Sequence, residues 1–121
     1  MVPQIKSTEI TEVPNLDPQS YKPEDPEDFR CTFGLTIGPM NNDGGEQFYL
    51  SVCSPGWVSR ECQNSGFFWG RNHLVVPHYN LEMIRKVISK WVESCSGDSW
   101  SEVAGKLSRI ASWEFDHYQG R

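Results

Sequence analysis

Three histidines, His73, His78 and His117, are the first residues that could do chemistry. Two imidazoles and a lysine can cleave RNA by general acid–base transfer, so a small metal-independent hydrolase or ribonuclease is one reading. Spacing works against it. His73 and His78 stand five residues apart, and on a strand of period 2 an odd interval places them on opposite faces. His117 can join either one only through the fold. The same geometry argues against a shared metal. Cys31, Cys53, Cys62 and Cys95 lack the short ligand spacings of a structural zinc. Cys31, Cys53 and Cys95 read as small buried hydrophobes, and Cys62, in a polar stretch, as exposed. Glu114 and Asp116 lie two apart, and paired carboxylates can serve glycoside cleavage, but nothing else suggests a sugar cleft. There is no glycine-rich phosphate loop before a helix, no G-x-S-x-G elbow and no H-E-x-x-H pair. No catalytic residue, metal or cofactor is expected.

Charge is more informative. Sixteen Asp and Glu against eleven Lys and Arg give a net charge of −5. That balance excludes a general nucleic-acid binder, which must neutralise phosphates with cations, and suits a partner of something basic. The carboxylates are concentrated. Asp17, Glu24, Asp25, Glu27 and Asp28 fall within twelve residues, offset only by Lys22 and spaced by Pro18, Pro23 and Pro26. Prolines lower the entropy lost when such a segment docks, so it reads as a pre-extended acidic arm for a cationic partner. Glu24, Asp25, Glu27 and Asp28 are the first candidate contacts. Asp43, Glu46 and Glu61, in turns or loops, come second. Trp57 and Trp69 would be natural interface anchors if exposed; both are expected in the core.

The elements that must position these residues follow from periodicity. Val2 to Ile10 reads as a first strand, and 11–28 as a long acidic, proline-rich loop. Phe29, Cys31, Phe33, Leu35 and Ile37 alternate with Arg30, Thr32, Gly34 and Thr36, the clearest strand in the chain. Asn42-Asp43-Gly44-Gly45 is a strong turn signal, and Phe48, Leu50 and Val52 resume the alternation in a hairpin partner. Ser54-Pro55-Gly56 breaks that strand, and 57–72 shows no assignable period. His73 to Val76 reads as a strand that Pro77 confines to an edge. Asn80 caps a helix with a stripe of Leu81, Ile84, Ile88, Trp91 and Cys95, and Gly97 is placed at its C′ position. Ser99 and Glu102 form a capping box for a second helix, with Trp100, Val103, Ala104, Leu107 and Ile110 facing inward. The segment from Trp113 reads as a short docked tail. Strands first and helices last predict an α+β fold over 1–121, a single domain whose antiparallel sheet is covered on one face by two C-terminal helices. No run is long and apolar enough to span a membrane. Met1-Val2-Pro3-Gln4-Ile5-Lys6 lacks the pattern of a signal peptide, so the expected location is cytoplasmic.

One resemblance covers residues 20–118. Pro23-Glu24-Asp25-Pro26-Glu27-Asp28-Phe29, then Gly45-Glu46-Gln47-Phe48 leading to Val52-Cys53-Ser54-Pro55-Gly56-Trp57, occur in this order. Gly70-Arg71-Asn72-His73-Leu74-Val75-Val76 with Tyr79, Gly97 to Leu107, and Trp113-Glu114-Phe115 with Tyr118 follow. This ordered set resembles the immunity protein 8 family of bacterial polymorphic-toxin and contact-dependent growth inhibition systems. The resemblance implies a small cytoplasmic protein without catalytic residues that binds and neutralises a cognate toxin C-terminal domain. The motif positions are core types and single out no binding surface. With the acidic arm, the expected partner is a basic nuclease, and neither nucleic acid nor membrane is bound directly. A housekeeping interaction module unrelated to toxins is the third alternative, after the histidine enzyme.

Overall fold

Alternation builds the sheet. The computed structural model describes residues 1–115. In β2 (Arg30–Pro39) Cys31, Phe33, Leu35 and Ile37 are buried, while Arg30, Thr32 and Thr36 reach the opposite, more open face. β2 lies between β1 (Pro3–Ile10) and β3 (Glu46–Cys53), antiparallel to both. Phe33 stands opposite Leu50, and Leu35 opposite Phe48. The turn between β2 and β3 depends on glycine. Gly44 has φ +84°, and a Cβ on Gly38 would sit 2.2 Å from the Gly44 carbonyl oxygen, so only a bare backbone lets the strands close there. On the other side of β2, β1 carries a bulge between Ile5 and Ser7 with Lys6 as the extra residue.

Two helices cover the apolar face. Asn80 caps α2 (Leu81–Ser94) by accepting from the Met83 N–H, and Ile84, Ile88 and Val92 form its buried stripe. Ser99 caps α3 (Trp100–Leu107), accepting from the Glu102 N–H at 3.2 Å, while Glu102 reaches back to the Asp98 N–H at 3.0 Å. Val103, Ala104 and Leu107 join the sheet residues and the α2 stripe in one core. Each large side chain buried there stabilises the fold by about 1.5–3 kcal/mol. The result is the expected α+β architecture.

Four local readings change. Residues 57–72 are not aperiodic: α1 spans Pro55–Ser65, with Ser54 accepting from the Trp57 N–H and Gly66, at φ +86°, closing it. None of its residues is fully buried, so it has no apolar stripe to read. As a crossover helix it brings β4 (His73–Val75) back parallel to β3, with Leu74 opposite Val52. β4 shares the outer edge of β3 with β5 (Ser112–Trp113), whose Trp113 pairs with Phe48. Second, α2 ends at Ser94 with Cys95 as its cap, and Gly97 is not left-handed. Gly97 instead makes room, since a Cβ there would lie 2.9 Å from Cδ of the capping Glu102. Third, α3 stops at Leu107, so Ile110 is exposed and Ala111 takes the buried place. Fourth, Cys62 is half-buried on α1 rather than exposed in a loop. Among the described residues, no helix is long and apolar enough to cross a membrane.

Candidate functional site

The acidic segment is held in shape by its own short side chains. Asp17 accepts from the Gln19 N–H and Asp25 from the Glu27 N–H, each at 2.9 Å. The first turn of α1 then sits directly on the arm. The Phe29 N–H donates to Ser54 Oγ at 3.0 Å, and a Cβ on Gly56 would lie 2.6 Å from the Glu27 carbonyl oxygen. Arg60 of α1 makes a two-pronged pair with Asp28, Nε and Nη2 donating at 3.0 and 2.9 Å. The hydrogen bond from Arg60 holds the Asp28 carboxyl below its usual range. Glu24, Asp25 and Glu27 are exposed. An open groove of about 460 Å³ results, in which Glu24, Asp25 and Asp28 face Trp57, Arg30 and Arg60.

A polar and aromatic network backs this groove. The Arg30 guanidinium lies 5.6 Å from the centroid of the Trp57 ring and donates to Ser51 Oγ at 2.9 Å and to His73 Nε2 at 3.0 Å. His73 Nδ1 is 2.7 Å from the Arg71 carbonyl oxygen. A carbonyl only accepts, so the ring proton sits on Nδ1 and Nε2 offers its lone pair to Arg30. Both nitrogens are thereby committed. The His73 ring stacks on Trp57 at 6.1 Å, and Phe68 meets both edge-on, at 5.3 Å from Trp57 and 4.8 Å from His73. His78 is exposed outside β4, and His117 and Asp116 lie outside the described residues. Among the described residues, no three His, Cys, Asp or Glu side chains converge as metal ligands. Burial pushes the Cys31 thiol up to about 12, consistent with a core hydrophobe.

The remaining sequence candidates scatter. Asp43 is exposed in the β2–β3 turn. Glu46 is built into the fold: its Oε1 accepts from Nε1 of Trp100 at 2.6 Å and of Trp113 at 3.0 Å. It starts β3, seven residues from Cys53, about 23 Å from the groove end at a strand's rise per residue. Glu61, half-buried on α1, accepts from Ser65 Oγ at 3.4 Å. Glu114 accepts from the Gln47 N–H and is likewise structural. Trp57 is half-buried in the groove wall, but Trp69 is 81% exposed and Phe67 58%, against the expectation that Trp69 lies in the core. Sequence reasoning missed Arg30 and Arg60, whose roles depend on α1. The one available signal was an arginine on the polar face of an otherwise apolar strand.

An open groove of carboxylates, arginines and a tryptophan on a small α+β fold is a surface suited to binding another protein. The chain belongs to the immunity protein 8 family, whose model matches residues 3–118. It is therefore an immunity protein, and its partner is a cognate toxin. Comparisons with curated proteins and with solved structures return no significant match.

Proposed function

We propose that this immunity protein works in the cytoplasm as a stoichiometric, non-catalytic inhibitor of a basic nuclease toxin. The carboxylates Glu24, Asp25, Glu27 and Asp28 face the toxin, with Glu61 on α1 beside them; Asp43, at the far end of the β2–β3 hairpin, is a secondary contact only if the interface extends that far. One observation carries the reading: in a chain of charge −5, Glu24, Asp25 and Glu27 of the arm stay exposed beside the open groove that Trp57 walls, while Asp28 is paired with Arg60. A nuclease presents cations to phosphates, and an anionic surface that borders that cleft excludes the substrate. Charge complementarity raises association toward about 10⁸–10⁹ M⁻¹s⁻¹ from about 10⁵–10⁶ without steering. Nuclease–immunity pairs are among the complexes that reach Kd values of about 10⁻¹³–10⁻¹⁶ M. An interface of standard size, about 800 Å² on each partner, is a small part of the 7395 Å² surface.

Co-expression with the toxin domain encoded alongside this chain tests the proposal. Growth is expected to recover and the two proteins to co-purify. A variant with His78→Ala and His117→Ala is expected to protect nearly as well, because no turnover depends on either imidazole. Failure of both rescue and co-purification refutes the reading. Loss of protection in a folded histidine variant shifts it to the enzyme alternative.

A further inference from the structure

We infer that Trp69, braced by Phe67, is the anchor that locks the toxin onto this surface, inserting into an apolar pocket rimmed by the toxin's cations. The inference rests on the toxin-binding reading above and adds a contact that the acidic arm does not supply.

Trp57, Trp91, Trp100 and Trp113 are all half-buried or packed on the core, whereas Trp69 leaves 81% of itself in water and Phe67 58%. Large aromatics left exposed together mark interaction sites rather than chance, and tryptophan is the residue type most enriched at binding hot spots. The exposure does not come from a slack loop. Gly66 turns the chain out of α1, Phe68 packs edge-on against the stacked Trp57 and His73 rings, and Asn72 at φ +57° returns the chain to β4. The Asn72 carbonyl accepts from the Ser51 N–H at 3.0 Å, fixing the loop to the sheet. With Phe68 pinned inward, its neighbours Phe67 and Trp69 project outward and meet edge to face at 6.2 Å. A pair held this way loses little freedom on binding.

The occupant follows from charge. Phe68 touches Trp57, and Trp57 lines the groove that holds Glu24, Asp25 and Asp28. The Phe67–Trp69 pair and this groove, which Arg30 and Arg60 also line, thus flank the same Trp57–Phe68–His73 cluster. A second copy of this chain, also at net charge −5 with Glu24, Asp25 and Glu27 exposed, would set like charges against each other in a two-fold contact here. A cationic toxin has the complementary sign. The arm and the anchor then divide the work: exposed carboxylates accelerate encounter, and buried aromatic area slows release.

Surface-binding kinetics on an immobilised, catalytically inactive toxin domain separate the two. Wild type, Trp69→Ala, Phe67→Ala with Trp69→Ala, and Glu24→Lys with Glu27→Lys are compared at several salt concentrations, with thermal melting as the check on folding. Trp69→Ala is expected to speed dissociation at least about 30-fold, the size of a hot-spot loss, with association and its salt slope within about threefold of wild type. Dissociation within twofold of wild type, alongside tight wild-type binding, overturns the anchor and leaves the toxin-binding reading standing. Loss of a homodimer in sedimentation with unchanged toxin kinetics also overturns it, in favour of a second copy as occupant. Absence of wild-type binding overturns both.

Discussion

Glu46 offers the sharpest test of how the fold is tied together. One carboxylate oxygen accepts from two indoles, Trp100 of α3 and Trp113 of β5, at 2.6 and 3.0 Å. Both rings also rest on Phe48, Trp100 edge-on at 6.5 Å and Trp113 stacked at 6.2 Å with 9° between planes. Glu46 thus clasps a helix and a two-residue strand to β3. Hydrogen bonds to a charged group contribute about 1.5–3 kcal/mol each, and partial exposure of this site puts both bonds at the lower end. Glu46→Ala should therefore cost about 3 kcal/mol. Glu46→Gln, which keeps a neutral oxygen acceptor, should cost about 1 kcal/mol. For a chain of this size about 4 °C accompanies each kcal/mol, so melting points should fall by about 12 and 4 °C. Circular dichroism in heat and in urea reads the loss, and near-ultraviolet signals report the tryptophans directly. The urea slope should not change, because the same surface is exposed on unfolding. Melting of Glu46→Ala within about 2 °C of wild type, or equal damage from the Gln variant, would refute the clasp.

Two further outcomes are expected. Reversing Glu24, Asp25, Glu27 and Asp28 to Lys should slow association with the toxin about tenfold or more at low salt and flatten its salt dependence; stopped-flow mixing at graded ionic strength measures both, and wild-type values for both would remove the acidic arm from the interface. The Arg60 hydrogen bond lowers the folded-state value of Asp28, so the pair's contribution is fully present above the ordinary aspartate range and is lost as pH falls through the lowered value. Asp28→Asn should accordingly flatten the acid limb of stability, read as urea midpoints below pH 5, and an unchanged limb would contradict the pairing.

Much of this architecture is legible in the chain because one face of each main strand and helix is apolar. Phe33, Leu35 and Ile37 at period 2, and Ile84 and Ile88 at period 4, announce β2 and α2 without help from tertiary contacts. α1 escapes the same test because it buries no residue completely. Its signals are terminal instead: Ser54 as cap, Pro55 in the first turn and Gly66 just past the end. Read only as a strand breaker, Ser54-Pro55-Gly56 hides the crossover, and with it the parallel pairing of β4. The candidate site is legible to the same degree. The arm's carboxylates stand out by density alone, whereas Arg60, Arg30 and the packing of Phe68 become visible only once α1 lies over the arm. Glu46 shows the opposite limit, since a carboxylate beside a turn carries no mark of the two indoles that reach it from residues 100 and 113.

The bulge at Lys6 has a bearing on life at high concentration. β1 is an edge of the sheet and eight residues long, long enough to template a strand from another molecule. The extra residue breaks its regular ladder, and the ammonium of Lys6, bonded to the Asn42 carbonyl at 2.8 Å, plants a charge at the break. Pro3, at the start of the same strand, brings no N–H to that edge. An irregular, charged border of this kind opposes strand-by-strand pairing with another molecule along that edge.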